Sequence, residues 1–397
     1  LRPVLDLGRT PLANRLLNAE RLTQQEPTYP LELVFCPVCS LLQITETVPP
    51  AELFGDYVYF SSFSDTMVHH AKVLAERMIT DRRLGPNSLV VEAASNDGYL
   101  LQHYQAVGVP VLGIEPAANV AKVAVEKRGV RTVVEFFGSE FAERLVRDSF
   151  RADVFHAHNV LAHVADLNGF VRGIHTLLRE DGVAVVEVPY AKPFIDHREF
   201  DTIYHEHLCY FSLTALDTLF RRHGLVIRQA EVVPIHGGSI RIVAERGDLA
   251  EPASGSVAQI LADEQACGLN RFEYYARFAE AVSGLKATLT GLLRDLKAGG
   301  QRLAAYGASA KGSTLLNDFG IGCDLLDFVA DRSTVKQGQF TPGTRLPIVA
   351  PEELVRRQPD YCLLLTWNFA DEILAQQAEY RRRGGRFIVP IPDVRII

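Results

Sequence analysis

Four short runs in the middle of the chain, residues 89–93, 111–114, 154–157 and 183–188, are apolar with almost no alternation. A strand with one wet face alternates, whereas a strand covered on both faces reads as a continuous apolar run. The segments between these runs carry apolar residues at helical spacing. Strand and helix in alternation predict a mostly parallel, doubly wound sheet with helices on both faces over residues 66–250. Residues 1–65 differ. They are rich in turns, and Tyr29-Pro-Leu-Glu-Leu-Val-Phe35 alternates like a single strand. From 255 to 298 acidic and apolar residues interleave without proline, which predicts one long connecting helix. A second apolar run then meets Tyr306-Gly-Ala-Ser-Ala-Lys311, and strands are expected near 325–330, 361–366 and 386–390. Residues 251–397 therefore read as that connector plus a smaller α/β unit, whose strand–glycine turn–helix pattern repeats that of the first.

The two glycine turns differ in charge. The first is Glu92-Ala-Ala-Ser-Asn-Asp-Gly98, and the next strand ends in Glu115-Pro116. A carboxylate at the end of the second strand of a doubly wound sheet accepts hydrogen bonds from ribose hydroxyls. A dinucleotide would need more glycine, because its pyrophosphate sits on the helix N-terminus. One glycine and two acids instead suit a ribose joined to a cationic amino-acid tail, as in S-adenosylmethionine. Glu92, Ala94, Asn96 and Gly98 are expected around that tail. The second turn holds no acid and ends at Lys311, which suits a phosphate. A nicotinamide reductase using this turn is an alternative, with Asp331 as its following acid.

The chain of 397 residues carries 47% hydrophobic residues, 22% charged residues and a net charge of −7. That balance and the lack of a basic stripe argue against nucleic-acid binding. No apolar run is long enough to span a bilayer. The six cysteines are sparse, as expected for reduced thiols in a cytoplasm. Cys36-Pro-Val-Cys39, at the end of the predicted strand, is half of a zinc knuckle. The other half is expected upstream of Leu1; two unpaired thiols are the alternative.

Phe200-Asp-Thr-Ile-Tyr204-His205-Glu206-His207 follows the fourth middle strand. Consecutive titratable side chains among aromatics can move a proton, one acting as acceptor while another orients it. A metal on His205 and His207, or satisfied polar residues at a domain seam, are the competing readings. His158-Asn159-Val-Leu-Ala-His163 follows the third strand and should lie at the cofactor rim. Tyr57 and Tyr59, spaced by two, are placed to cap the site or to stand on a surface strand. His236-Gly-Gly permits close approach to a ligand or a hairpin turn.

Taken in order and spacing, these motifs resemble the sugar C-methyltransferases of deoxysugar biosynthesis, which act on nucleotide-linked ketosugars. The resemblance covers essentially the whole chain. It implies an N-terminal zinc domain holding Cys36 and Cys39, a central class I methyltransferase domain, and a C-terminal Rossmann-like domain that helps hold the substrate phosphates. The chain departs from it in carrying half of the zinc ligands. The implied substrate is a nucleotide-linked ketosugar, such as a thymidine diphosphate sugar. Its enolate would attack the sulfonium methyl, with His207 as base and Tyr204 and Glu206 holding the sugar. The rim histidine corresponds to His163 and the edge tyrosine to Tyr57 or Tyr59. The same reading places Pro116, Asn119, Phe137, Asn159 and Leu161 with the cofactor, and His236, Ser309, Lys336 and Asn368 with Lys311 at the substrate. A small-molecule O- or N-methyltransferase and a nucleotide-sugar-binding module remain alternatives. A cytoplasmic monomer or weak homodimer is expected.

Overall fold

The computed structural model describes residues 1–53, 60–235, 237–247 and 255–397. Tyr57, Tyr59 and His236 lie outside the described residues. Strands β1 (Arg2–Thr10), β2 (Tyr29–Phe35) and β3 (Leu42–Ile44) form an antiparallel sheet at the N-terminus. The middle of the chain supplies β4 (Val90–Ala93), β5 (Val111–Ile114), β6 (Thr132–Val133), β7 (Ala152–His158) and β8 (Leu178–Pro189). A short strand, β9 (Cys209–Tyr210), leaves this region and pairs with β3. The N-terminal sheet is thus completed by a strand about 165 residues further on, which no local pattern discloses.

Strands β10 (Leu225–Val233) and β11 (Ser239–Arg246) complete a seven-stranded sheet of order β10-β11-β8-β7-β4-β5-β6. All its strands are parallel except β11, which runs antiparallel to both neighbours. Val183 to Val188 of β8 are all buried, as their unbroken apolar pattern requires. The order reverses between β4 and β7, so the C-terminal ends of those two strands open a crevice.

The third sheet repeats this plan. Strands β12 (Leu303–Tyr306), β13 (Val329–Ala330), β14 (Ile348–Val349), β15 (Tyr361–Leu364), β16 (Arg386–Val389) and β17 (Arg395–Ile396) take the order β14-β13-β12-β15-β16-β17. Its reversal falls between β12 and β15. There Gly307, at φ 95°, lies so close to Thr366 that a Cβ would meet the threonine Oγ1 at 2.3 Å. No other residue fits that turn.

The expected single helix over 255–298 is two helices, Gly255–Cys267 and Phe278–Ala298. Gly268, left-handed at φ 82°, ends the first. The pair is also more than a connector. Glu264 is wholly buried and accepts from the backbone N–H groups of Leu213 (2.6 Å) and Thr214 (2.8 Å) and from the Thr214 hydroxyl (2.6 Å). It neutralises the N-terminus of helix Leu213–Arg222, which would otherwise hold unsatisfied donors. Among the described residues no helix is long and apolar enough to cross a membrane.

Candidate active site

The first crevice is built on strained backbone. Ala94 (φ 51°) and Asn96 (φ 48°) after β4, and Asn159 (φ 54°) after β7, take left-handed conformations that side chains disfavour. Such strain persists where surrounding structure enforces it, commonly at binding sites. One enforcing group is Glu115 at the end of β5. Its Oε2 accepts from the Asn96 N–H and its Oε1 from the Ala117 N–H, each at 2.9 Å. Burial pushes the Glu115 carboxyl up to about 7, while those two backbone donors pull it down. Asn96 Oδ1 in turn accepts from the Ser61 N–H at 2.9 Å, and Asp97 accepts from the Ser62 hydroxyl at 2.5 Å. The segment preceding helix Asp65–Arg82 is thereby folded over the turn.

A cavity of about 790 Å³ extends from this crevice to the C-terminal domain. Ala94, Asn96, Glu115, Pro116, Phe137 and Asn159 line it from the seven-stranded sheet, together with His163, Tyr204 and His207. Ser309, Lys311, Lys336 and Asn368 line it from the third sheet. Glu115 fits a ribose: with each oxygen holding one backbone donor, a second lone pair on each is left for a pair of hydroxyls. Phe137, packed on Phe155 at 4.7 Å between ring centroids, gives an aromatic wall.

Five expected residues do not reach this cavity. Glu92 points into the sheet rather than off its end, and its Oε2 makes no hydrogen bond among the described residues. Burial, reinforced by the charges of Glu115 and Asp97, raises its pKa well above the usual range. The acidity of the turn comes from Asp97 and Glu115, and Asp97 is itself paired with Arg128 at 3.4 Å. Gly98 is left-handed at φ 78° and packs against Val130, so it shapes the turn without lining the cavity. Leu161 is core, and Asn119 lies in helix Ala118–Arg128 away from the cavity wall. Glu206 is the fifth: its carboxylate sits behind Asn14, whose Nδ2 donates to Oε1 at 2.7 Å. Asn14 lines the cavity in its place.

The segment carrying Tyr204 to His207 is gripped by all three sheets. Thr314 of helix Ala310–Phe319 donates to the Ile203 carbonyl at 2.9 Å, and Phe319 stacks on Phe200 at 4.8 Å. His205 Nε2 donates to the Pro30 carbonyl at 3.0 Å and is held off the cavity by that bond. The Leu208 N–H donates to Ala162 and its carbonyl accepts from Ile44.

His207 Nδ1 lies 2.9 Å from the Thr202 carbonyl. A carbonyl only accepts, so Nδ1 carries the proton, and Nε2, which holds a lone pair when the ring is neutral, faces the Tyr204 hydroxyl at 2.7 Å. His163 packs edge-on against His207, with ring centroids 4.7 Å apart. Burial pushes His163 down to about 4, so it is neutral near pH 7. The arrangement can take up a proton at Tyr204–His207 beside a neutral imidazole.

The second turn is less free of acid than its sequence predicts. Asp331, at the end of β13, accepts from the Ala308 N–H at 2.7 Å, the counterpart of Glu115 and Asn96. Lys336 donates to the Ala308 carbonyl at 2.7 Å, and Ser309 caps its helix by accepting from Gly312 at 3.0 Å. Lys311 lies over the Trp367 ring at 4.7 Å, and the Trp367 indole donates to buried Asp201 at 2.7 Å. Asp331, Arg332 and Glu372 line the cavity with the two lysines, and Arg332 pairs with Glu372 at 3.3 Å, which leaves one excess positive charge on that wall.

Cys36 and Cys39 lie on a tight turn closed by the Ser40 N–H to the Cys36 carbonyl. Burial opposes ionisation of Cys36, but backbone donors from Cys39 and Val38 outweigh it and hold the thiol below its ordinary value. Burial raises Cys39. Two thiols are half of a tetrahedral zinc set, and no group of three ligating residues exists among the described residues.

Asn14, Ser61, Thr202 and Arg332 line the cavity without a sequence signal. Asn14 and Glu206 are 192 positions apart and only tertiary contact joins them.

Three family profiles match the chain. Residues 1–54 match one described as "Putative zinc binding domain", residues 67–230 one described as a methyltransferase domain, and residues 234–392 one described as a C-methyltransferase C-terminal domain. The C-methyltransferase NovU of Streptomyces niveus is 38% identical over 394 residues, which is 99% of this chain and 94% of that protein. Among solved structures, the magnesium protoporphyrin IX methyltransferase of Synechocystis PCC 6803 with bound S-adenosylhomocysteine is 15% identical. The match covers 49% of this chain and 92% of that one, with a TM-score of 0.37. An S-adenosylmethionine-dependent methyltransferase of Thermotoga maritima is 18% identical, covering 46% and 92% with a TM-score of 0.35.

Proposed function

We propose that this chain, which belongs to the S-adenosylmethionine-dependent C-methyltransferases, methylates the carbon beside the carbonyl of a nucleotide-linked ketosugar through an enolate. The observation that carries the reading is the Tyr204–His207 pair on the cavity wall, with the imidazole lone pair aimed at the phenol. Methylation at carbon requires a carbanion, and a ketone supplies one when its neighbouring C–H is deprotonated. The Tyr204 oxygen accepts that proton as its own passes to His207 Nε2, and the C–H electron pair moves onto the carbonyl oxygen. The Thr202 carbonyl holds the resulting imidazolium by its Nδ1–H. His163, kept neutral by burial, adds no competing charge. The bound cofactor supplies an electrophilic methyl group, which leaves with a neutral thioether behind it.

The nucleotide part of the reading rests on the opposite wall. Lys311, Lys336 and Arg332 bring three cations to that wall against two acids, Asp331 and Glu372, the latter paired with Arg332 at 3.3 Å, and helix Ala310–Phe319 starts there. Such a wall favours a diphosphate. Residues fitted to the cofactor are Asn96, Glu115, Phe137 and Asn159.

The test incubates the protein with S-adenosylmethionine and a panel of nucleotide-linked ketosugars, then reads product mass and the position of the new methyl. Deuterium uptake next to the ketone, in the presence of S-adenosylhomocysteine, reports the proton step alone. Tyr204→Phe and His207→Asn should each lower exchange and turnover by roughly two to four orders of magnitude. Affinity for S-adenosylhomocysteine should be retained. A methyl group found on oxygen or nitrogen, with no exchange at carbon, would sink this reading.

A further inference from the structure

We infer that Asn14, from the N-terminal domain, is a substrate-contacting residue that reads a sugar hydroxyl, and that Glu206 is the positioning residue that aims its amide. The inference rests on the ketosugar reading above and changes the part Glu206 plays in it.

Asn14 sits in a turn closed by the Arg15 N–H to the Leu12 carbonyl. Leu12 and Ala13 are buried on one side of it. On the other side Leu17 and Phe340 exchange backbone hydrogen bonds at 2.9 and 2.8 Å, fastening the segment to the C-terminal domain. The turn is held from both ends, so the side chain it presents to the cavity is fixed. Its Nδ2 donates to Glu206 at 2.7 Å. Glu206 is 3% exposed, off the cavity wall, and its Oε2 makes no hydrogen bond among the described residues.

An ionised carboxylate only accepts hydrogen bonds. It therefore selects the amide rotamer whose nitrogen faces it, and turns the Oδ1 and the second N–H toward the cavity. An edge with one acceptor and one donor matches a hydroxyl, which does both. Tyr204 and His207 flank Glu206 in sequence and line the same cavity, so the hydroxyl read by Asn14 lies near the carbon that is deprotonated.

Protonation removes the selection. Burial pushes Glu206 up to about 7, with the Asn14 hydrogen bond and the Lys336 charge pulling it down. The charged and titratable groups around it are Lys336, cationic, and the His163 and His207 rings of the cavity wall. Once protonated, Glu206 can donate as well as accept, so either end of the amide can face it and the edge shown to the substrate is no longer fixed. Substrate recognition should then weaken as pH falls through about 7.

The experiment measures binding of a nucleotide ketosugar to the protein–S-adenosylhomocysteine complex by calorimetry, and kcat and KM across pH. The wild type, Asn14→Ala and Asn14→Ser are compared. A buried sugar hydroxyl left without its partner costs about 1–3 kcal/mol, so Asn14→Ala should weaken sugar binding roughly 5- to 150-fold. Its acid limb should disappear, because no amide remains for Glu206 to turn. Asn14→Ser should recover part of the affinity. Binding of S-adenosylhomocysteine should stay near wild type, while the melting temperature should drop modestly, because the Asn14–Glu206 bond is lost in the free protein too. The inference is overturned if Asn14→Ala binds the sugar within twofold of wild type with an unmoved limb. It is also overturned if affinity for S-adenosylhomocysteine falls in parallel with sugar binding, which would make Asn14 a folding residue. If the wild type itself binds no nucleotide ketosugar, the substrate reading fails instead, and the Asn14 inference, which depends on it, falls with it.

Discussion

Glu115 should make cofactor affinity depend on pH. In the free protein burial raises its carboxyl to about 7, above the ordinary value near 4.3. The two backbone N–H groups at 2.9 Å already take one lone pair on each oxygen. Two ribose hydroxyls can donate to the remaining pairs only when the group is ionised. Each pH unit below 7 therefore costs about 1.4 kcal/mol of binding, a factor of about ten. Affinity for S-adenosylhomocysteine should be flat above pH 8, about tenfold weaker at pH 6, and accompanied by proton release. Glu115→Gln places an N–H against a backbone donor. One unsatisfied buried N–H costs about 1–3 kcal/mol, and the lost charged hydrogen bond to ribose about 1.5–3 kcal/mol. The first cost is present with or without cofactor and lowers stability; the second falls on binding and weakens it roughly 10- to 150-fold. Stability has the opposite sign. A carboxyl whose folded value is raised stabilises the protein below its unfolded value, and that contribution is lost as pH rises from about 4.3 through about 7. The apo melting temperature should fall across that window, and less so in Glu115→Gln. Calorimetric titrations in buffers of different ionisation enthalpy, from pH 5.5 to 8.5, measure both affinity and proton release. Affinity that does not change with pH, no release, and a Glu115→Gln variant that binds normally would together refute the reasoning.

Two further outcomes are expected. Lys311→Ala should raise KM for a nucleotide sugar roughly 10-fold with a smaller effect on kcat, since its charge would hold a remote phosphate rather than the reacting carbon; steady-state kinetics showing an unchanged KM would remove the residue from the substrate site. Glu264→Ala strips a buried acceptor from two backbone N–H groups and a hydroxyl, and should lower unfolding free energy by about 2–4 kcal/mol in urea titrations. Activity per folded molecule should be unchanged.

The sequence by itself determined the local elements. Continuous apolar runs became the buried parallel strands β4, β5, β7 and β8, because burial on both faces leaves no alternation to read. The acid after β5 and the glycine turns were legible because their chemistry needs neighbours close in sequence. Gly268 was misread as helix interior, since a single glycine can be tolerated there or can end the helix. Tertiary structure decided the rest. It turned Glu92 into the sheet, gave β9 to the N-terminal domain, and set Asp331 beside a turn that looked free of acid. It also put Asn14 between Glu206 and the cavity. Periodicity reports which face of an element is buried. It carries no information on which distant segment does the burying, and the walls of this cavity are made by three such segments.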